Sequence, residues 1–425
     1  MNNDSIELKS IIKEIIDYRG KTPKKLGSDW SNCGYRALSA KNIKTGKIVQ
    51  EETIRYVDDE LYKKWMKQEV ERGTILITSE APFGEVLYWD SDEKIVLSQR
   101  IFGLKIDDKY NAEYIYYYMT SREFKGELEA RATGSTVTGL RQPELLKCKI
   151  KIPNKDNQDK ISHVLKCIDK KIELNNQIND NLQKLINNLY VKYFVNFEEY
   201  TGEYKDTDLG MIPESFNVDT LGNVITFSNG YGWNSKDMLD TNSENTYKVF
   251  KMGNINIGGG INKAKTKSWI DKEKANNLEQ YISKKGDILM CMTDMKNSGN
   301  PLLGHTALID KDDEFVINQR VGIIRCDKNL GYSYVYTMSN LKHFINDIRS
   351  RANSGVQVNL TTKGICDTLV LVPDNNTLNK FQQIAEPLYE KIFNNNNENE
   401  TLEQLRDTLL PKLMNGEIDL YKIEI

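Results

Sequence analysis

Histidine is scarce in this 425-residue chain, and what there is stands apart. The chain has only His163, His305 and His343, of which His305 and His343 have no close Cys, Asp or Glu partner at ligand spacing, and the six cysteines (Cys33, Cys148, Cys167, Cys291, Cys326, Cys366) contain no CxxC pair. No zinc site and no disulfide framework are expected, only reduced thiols. A run of about 18 apolar residues, the minimum for a membrane span, is missing. Met1 to Ser10 is polar and has no signal-peptide core, so a cytoplasmic location is expected.

Catalytic signatures are missing as well. Neither a Gly-rich FxGxG cofactor loop nor an Asn/Asp-Pro-Pro-Tyr/Phe tetrapeptide is present, and Asn300-Pro301-Leu302-Leu303 reads as a turn. Gly258-Gly259-Gly260 lacks both a following Lys-Ser/Thr and GxGxxG spacing, so it reads as a flexible hairpin and not a phosphate cradle. The net charge of −3 argues against a protein that coats nucleic acid by bulk electrostatics. Local basic faces remain available. Residues 1–50 hold ten Lys or Arg against five Asp or Glu, and Lys147, Lys149, Lys151, Lys155 and Lys160 crowd together.

What the sequence does contain is itself, written twice. Leu97-Ser98-Gln99-Arg100 is answered by Ile317-Asn318-Gln319-Arg320, 220 positions on. The same offset relates Tyr114-Ile115-Tyr116 to Tyr334-Val335-Tyr336, Phe124 to Phe344, Arg131-Ala132 to Arg351-Ala352 and Leu140 to Leu360. It also relates Ile150-Lys151-Ile152-Pro153 to Val370-Leu371-Val372-Pro373. Nearer the start of each half it becomes 212 or 213: Tyr35 to Ile43 matches Tyr247 to Ile255, and Glu71 to Ile77 matches Lys284 to Met290. A near-constant offset along most of a chain indicates duplication. Between the matched frames the loops differ, as in Gly20-Lys21-Thr22-Pro23-Lys24-Lys25 against Asn229-Gly230-Tyr231-Gly232-Trp233-Asn234, and variable loops on a common frame are where recognition sits.

Two long helices are predicted. Ile161, Leu165, Ile168, Ile172, Asn175, Asn179, Leu182, Ile186, Leu189 and Tyr193 follow the roughly 3.5-residue spacing of a coiled-coil seam. The seam returns as Phe381, Ala385, Leu388, Ile392, Asn395, Asn399, Leu402, Arg406, Leu409 and Leu413. Buried amides need partner amides, so Asn175 and Asn179 are expected to face Asn395 and Asn399 and to fix the register. Such a helix would span roughly 55 Å at ~1.5 Å per residue. Pro387 predicts a kink near the start of the second helix, Pro411 an ending or kink, and Gly416 a stop.

Alternating segments rich in Val, Ile, Thr and Tyr, such as Thr74 to Thr78, Glu85 to Trp89, Ile95 to Leu97 and Phe102 to Ile106, predict strands. Helical spacing covers Ala112 to Lys125 and Ser333 to Arg351. The expected architecture is α+β: a β-rich domain over residues 1–153, a helix over 154–200, a second domain over 201–373 and a second helix over 374–425. Two similar but unequal domains held apart by paired helices suit a target with two different features across an indifferent gap. DNA is such a target, since one face recurs about every 34–36 Å.

Leu209-Gly210-Met211-Ile212-Pro213-Glu214-Ser215-Phe216 is similar to an LGxIPxxW stretch, with Phe216 in place of Trp. Gly20-Lys21-Thr22-Pro23 is similar to GxTP, Gly134-Ser135-Thr136-Val137 precedes Leu140, and Pro153 leads into a long helix. In this order, and over the whole chain, these features resemble the specificity subunit of type I restriction-modification systems. The resemblance implies two duplicated target-recognition domains separated by two long antiparallel helices that form a coiled-coil spacer. It implies a non-catalytic subunit that reads a bipartite, asymmetric double-stranded DNA site, one half per domain. Two adenine methyltransferase subunits would dock on it through the helices, and restriction subunits would join them. It would not bind a membrane. S-adenosylmethionine, ATP and Mg would belong to those partners, with no cofactor in this chain.

Within that reading, polar loop residues are the candidate DNA contacts, because Arg and Lys reach guanine edges, Asn and Gln reach adenine, and hydroxyls and amides hold phosphates. They are Lys21, Lys41, Ser79, Arg100, Thr133, Ser135 and Thr136 in the first half, and Asn229, Tyr231, Lys251, Thr293, Lys296, Asn297, Arg320 and Asn353 in the second. Gln99-Arg100 and Gln319-Arg320 occur in both halves, so any contact they make should be to the backbone. The competing readings are a self-contained restriction or methylation enzyme with divergent motifs, and a duplicated protein-binding scaffold.

Overall fold

The computed structural model of the chain describes residues 4–133, 138–295, 302–353 and 357–418. The chain divides into two compact units, Met1–Leu174 with Glu398–Ile425, and Asn175–Asn397. Both divisions fall inside long helices, Lys155–Phe194 and Asn375–Met414. These helices begin and end 220 positions apart.

The first unit is built on an antiparallel sheet in the order Ile12–Asp17, Ile101–Ile106, Ile75–Thr78, Val86–Tyr88. Ile75-Leu76-Ile77-Thr78 is buried at every position, which is why it is a continuous apolar run and not an alternating one. A smaller sheet pairs Tyr35–Leu38 antiparallel with Arg55–Val57 and parallel with Val96–Leu97. The second unit repeats both. Thr226–Asn229, Val321–Arg325, Ile288–Cys291 and Thr306–Leu308 form the larger sheet. Thr246–Phe250 lies antiparallel to Trp269–Asp271 and parallel to Phe315–Ile317.

The helix expected over Ala112 to Lys125 is two helices, Ala112–Thr120 and Arg122–Arg131. Ser121 is extended, and its hydroxyl accepts a hydrogen bond from the Phe124 N–H at 3.2 Å, so capping a second helix replaces continuing the first. The second unit breaks at the same place, into Tyr332–Ser339 and Lys342–Ser350. Tyrosine hydroxyls tie this layer to the last strand identically in both units: Tyr114 donates to the Lys151 carbonyl and Tyr334 to the Leu371 carbonyl, each at 2.8 Å.

The long helices complete the two cores. In the first unit Ile161, Leu165, Leu413 and Met414 are buried in one cluster with Phe102, Ile115 and Phe124. In the second, Phe381, Ala385, Tyr193 and Phe194 occupy the equivalent places beside Val335 and Phe344. Asn375–Met414 is one helix that runs through Pro387 and ends only after Pro411, so neither proline stops it. Both prolines are exposed, so water can satisfy the carbonyls that lose their donors, and burial of Ala385 and Tyr389 holds the flanking turns. Gly416, at φ +72°, ends the chain's helical run as expected.

The seam also drifts. Leu388 and Ile392 are half-buried while Tyr389 and Phe393 are buried, and Ile172, Leu182, Leu189, Leu402 and Leu409 are half-buried too. A straight helix advances about 20° per heptad against a 3.5-residue repeat, so one seam cannot stay innermost over 40 residues. The amides behave as amide partners should. Asn395 Nδ2 donates to Asn179 Oδ1 and Asn179 Nδ2 to Asn396 Oδ1, both at 2.8 Å, and Asn175 and Asn399 are buried.

In the first unit the helix segments are joined by Arg406 Nη1 and Asp169 Oδ1 at 2.9 Å, and Asp169 Oδ2 accepts from the Tyr117 hydroxyl at 2.8 Å. Asp169→Ala would leave a half-buried guanidinium and a phenol without their acceptor. It should destabilise the chain by about 1–3 kcal/mol, whereas joint replacement by Asp169→Leu and Arg406→Met should cost much less. Urea denaturation of both variants checks this, and equal losses would refute it.

Candidate nucleic-acid interface

In each unit a small set of hydrogen bonds gathers loops that are remote in sequence at one end of the larger sheet. Ser79 N donates to the Arg100 carbonyl at 2.8 Å, Leu140 N to the Ser79 carbonyl at 3.0 Å, and Thr133 and Gly139 exchange backbone bonds at 2.9 Å. The second unit repeats the pattern. Met292 N donates to the Arg320 carbonyl at 3.2 Å, Leu360 N to the Met292 carbonyl at 2.9 Å, and Asn353 N to the Asn359 carbonyl at 3.2 Å. These bonds place Arg100 and Arg320 on equivalent, exposed turns. Arg100 sits at φ +67°, a conformation non-glycine residues seldom adopt, and the flanking bonds hold it there.

A neighbouring loop is pinned from inside. Asn42, 1% exposed, accepts from Ser39 N at 3.1 Å and donates to the Gln50 carbonyl at 3.2 Å and Thr53 Oγ1 at 3.1 Å. Asn254 does the same with Lys251 N, the Asn262 carbonyl and Thr266 Oγ1. Ala40 N donates to the Gln99 carbonyl at 3.1 Å, bringing this loop beside the Gln99-Arg100 turn.

The candidate side chains fall into three groups. Arg100, Arg320, Lys41, Thr133, Asn229, Tyr231 and Asn353 are exposed on or beside these loops. Asn229 Oδ1 accepts from Thr362 Oγ1 at 3.2 Å, Asn353 Oδ1 accepts from Asn359 N at 2.9 Å, and Tyr231 rests on Trp233 and Tyr281 with ring centroids 4.9 and 5.2 Å away. A second group is engaged internally. Ser79 and Thr293 are buried, Thr293 Oγ1 donating to Asn359 Oδ1 at 2.8 Å, so as folded here they support the loops and do not face outward. Lys251 Nζ donates to Ser268 Oγ at 2.9 Å. Lys21 Nζ donates to the Trp65 carbonyl at 3.1 Å and lies 4.3 Å from the Tyr18 ring centroid. Burial and the nearby Lys67 charge lower the Lys21 ammonium below its ordinary pKa. The third group, Ser135, Thr136, Lys296 and Asn297, lies outside the described residues.

Two charged residues at this edge carry no signal of their own in the sequence. Arg19 pairs with Asp17 at 2.8 Å, lies 3.8 Å over the Phe102 ring and donates to the Leu140 carbonyl at 3.3 Å. Glu80 pairs with Arg100 at 3.2 Å. Only extending the 213-residue offset past Ile77 would have aligned Glu80 with Thr293.

A twice-built scaffold, with equivalent polar loop clusters on divergent side chains, defines a duplicated α+β protein with one loop cluster per unit. Residues 5–184 match the family described as type I restriction modification DNA specificity domain. The type I restriction enzyme MjaIX specificity subunit of Methanocaldococcus jannaschii is 26% identical over 83% of this chain and 79% of that protein. The HindI specificity subunit of Haemophilus influenzae is 22% identical over 83% and 88%. The crystal structure of the type I restriction-modification S subunit from M. genitalium shares the fold, with a TM-score of 0.58 at 18% identity over 97% of this chain and 96% of that one. The likeness to that DNA specificity domain lies in residues 5–184, and over most of its length the chain is similar to type I restriction-modification specificity subunits.

The pinned loops give a test of the frame. Asn42→Ala and Asn254→Ala each leave buried backbone and hydroxyl groups unmatched, and each should lower stability by about 1–3 kcal/mol. Chemical denaturation curves measure it, and midpoints matching the unaltered chain would show that the amides are dispensable.

Proposed function

We propose that this chain is a type I restriction-modification specificity subunit and that it reads a bipartite, asymmetric DNA site, each unit contributing one half through the loops gathered around Arg100 and Arg320. The observation that carries the reading is the repeated loop cluster: the same backbone bonds in both units, with different side chains projecting from them. A shared frame positions the protein on the phosphates, and the unshared residues, such as Thr133 against Asn353, choose bases. Its role is recognition and not catalysis. Methyl transfer and cleavage would fall to partners that bring S-adenosylmethionine, ATP and Mg.

The long helices would set the gap between half-sites, and duplication would offer two equivalent surfaces to two copies of one methyltransferase subunit. Restriction subunits would join that complex.

Exchanging residues 1–153 for those of a relative should change one half of the methylated sequence and leave the other half and the gap as they were. Methylome sequencing of a host carrying the system reads this directly. A motif altered in both halves, or a single continuous motif, would overturn the one-half-per-unit reading.

A further inference from the structure

Duplication allows the two units to be compared side chain for side chain. At the Arg100 turn, Glu80 lies 3.2 Å from Arg100 Nε, with 35% and 47% of the two side chains exposed. At the equivalent turn, the position of Glu80 is taken by Thr293 and that of Gly139 by Asn359, and these two neutral groups bond to each other at 2.8 Å. Arg320 thus has no ion pair among the described residues. The adjacent loop shows the same contrast. Asp17 holds Arg19 in the first unit, while Asn229 and Tyr231, both uncharged, occupy the matching register in the second. Both arginines at the first unit's edge, Arg19 and Arg100, are paired with carboxylates. Arg320 at the second unit's edge is not, among the described residues.

An arginine common to both units cannot distinguish two different half-sites, so its partner on DNA is the phosphate backbone. A carboxylate already on that arginine competes with the phosphate. We propose that Glu80 is an electrostatic latch on Arg100: it holds the guanidinium in the absence of DNA and must give way when a phosphate arrives. The Arg100 turn then binds DNA of arbitrary sequence more weakly than it would without Glu80. This rests on the DNA-reading role proposed above.

The test uses the full-length chain and a fluorescent mixed-sequence duplex, with anisotropy followed across a salt series. Glu80→Thr, which copies the second unit, should tighten binding about two- to fivefold at low salt, the range of an exposed ion pair. The released arginine should also steepen the dependence of log K on log salt by about 0.9. Loss of a negative charge alone could tighten binding, so the decisive comparison is made in an Arg100→Gln background, where Glu80→Thr should have little further effect. The reciprocal change, Thr293→Glu, should weaken binding by a similar factor, and thermal melting confirms that each variant is folded. If Glu80→Thr tightens binding equally with and without Arg100, or not at all, the latch is wrong while the DNA-reading role stands. Failure of the unaltered chain to bind any duplex, alone or with its methyltransferase partner, would instead overturn that role and the latch with it.

Discussion

The first unit does not close its hydrophobic core with contiguous sequence. Ile161 and Leu165, from the middle of the chain, are buried in the first unit's core with Leu413 and Met414, from near the end of the described chain. Each fully buried aliphatic side chain contributes about 1.5–3 kcal/mol, so the four together, roughly 6–12 kcal/mol, are comparable to the whole net stability of a typical domain, about 5–15 kcal/mol. The second helix is therefore a structural part of the first unit. This dependence constrains evolution of the loops as well: exposed residues can change freely, whereas the residues where helix meets sheet cannot.

The duplication shows how little of such a frame needs particular chemistry. Tyr117 bonded to Asp169 corresponds to Thr337 bonded to Tyr389, at the same positions on the same elements. Arg406, which pairs with Asp169, corresponds to fully buried Ile186. An ionic junction in one unit is an apolar, hydroxyl-bonded one in the other, with the helix ends and register kept. What persists is the set of backbone bonds and the buried asparagines that satisfy loop backbone groups, Asn42 and Asn254. Buried polar groups that complete a hydrogen-bond set tolerate no simple replacement, whereas paired surface charges do.

The same distinction explains what could be read from the sequence. The repeat was legible because frame positions are constrained in both copies, and strands such as Ile75–Thr78 announce themselves by continuous apolar burial. The split at Ser121 was not legible from periodicity, since both helices present apolar residues to one sheet and only the capping geometry separates them. The helix seam was half legible: its 3.5-residue count identified Ile161, Leu165 and Asn395, but the drift of a straight helix moved burial from Leu388 and Ile392 onto Tyr389 and Phe393. In the loops, residue type alone could not tell exposed Arg100 from buried Ser79 and Thr293, because a hydroxyl that supports a loop and one that faces outward have the same composition signal. Pairings such as Glu80 with Arg100 join segments twenty positions apart and follow from the fold alone.

The amides within the long helices bear on the same question of fixed geometry. An aliphatic pair in place of Asn179 and Asn395 would bury more apolar surface, yet aliphatic side chains pack acceptably in several registers. An Asn179 that gives and receives amide bonds, from Asn395 and to Asn396, is satisfied in one. A slip of one turn would strand buried amide groups, each at a cost of about 1–3 kcal/mol. For a subunit proposed to read two half-sites across a set gap, one turn of slip would be about 5.4 Å, more than the distance between neighbouring base pairs. A single permitted register is then worth more than a tighter seam, and this accounts for polar residues where the seam pattern calls for apolar ones.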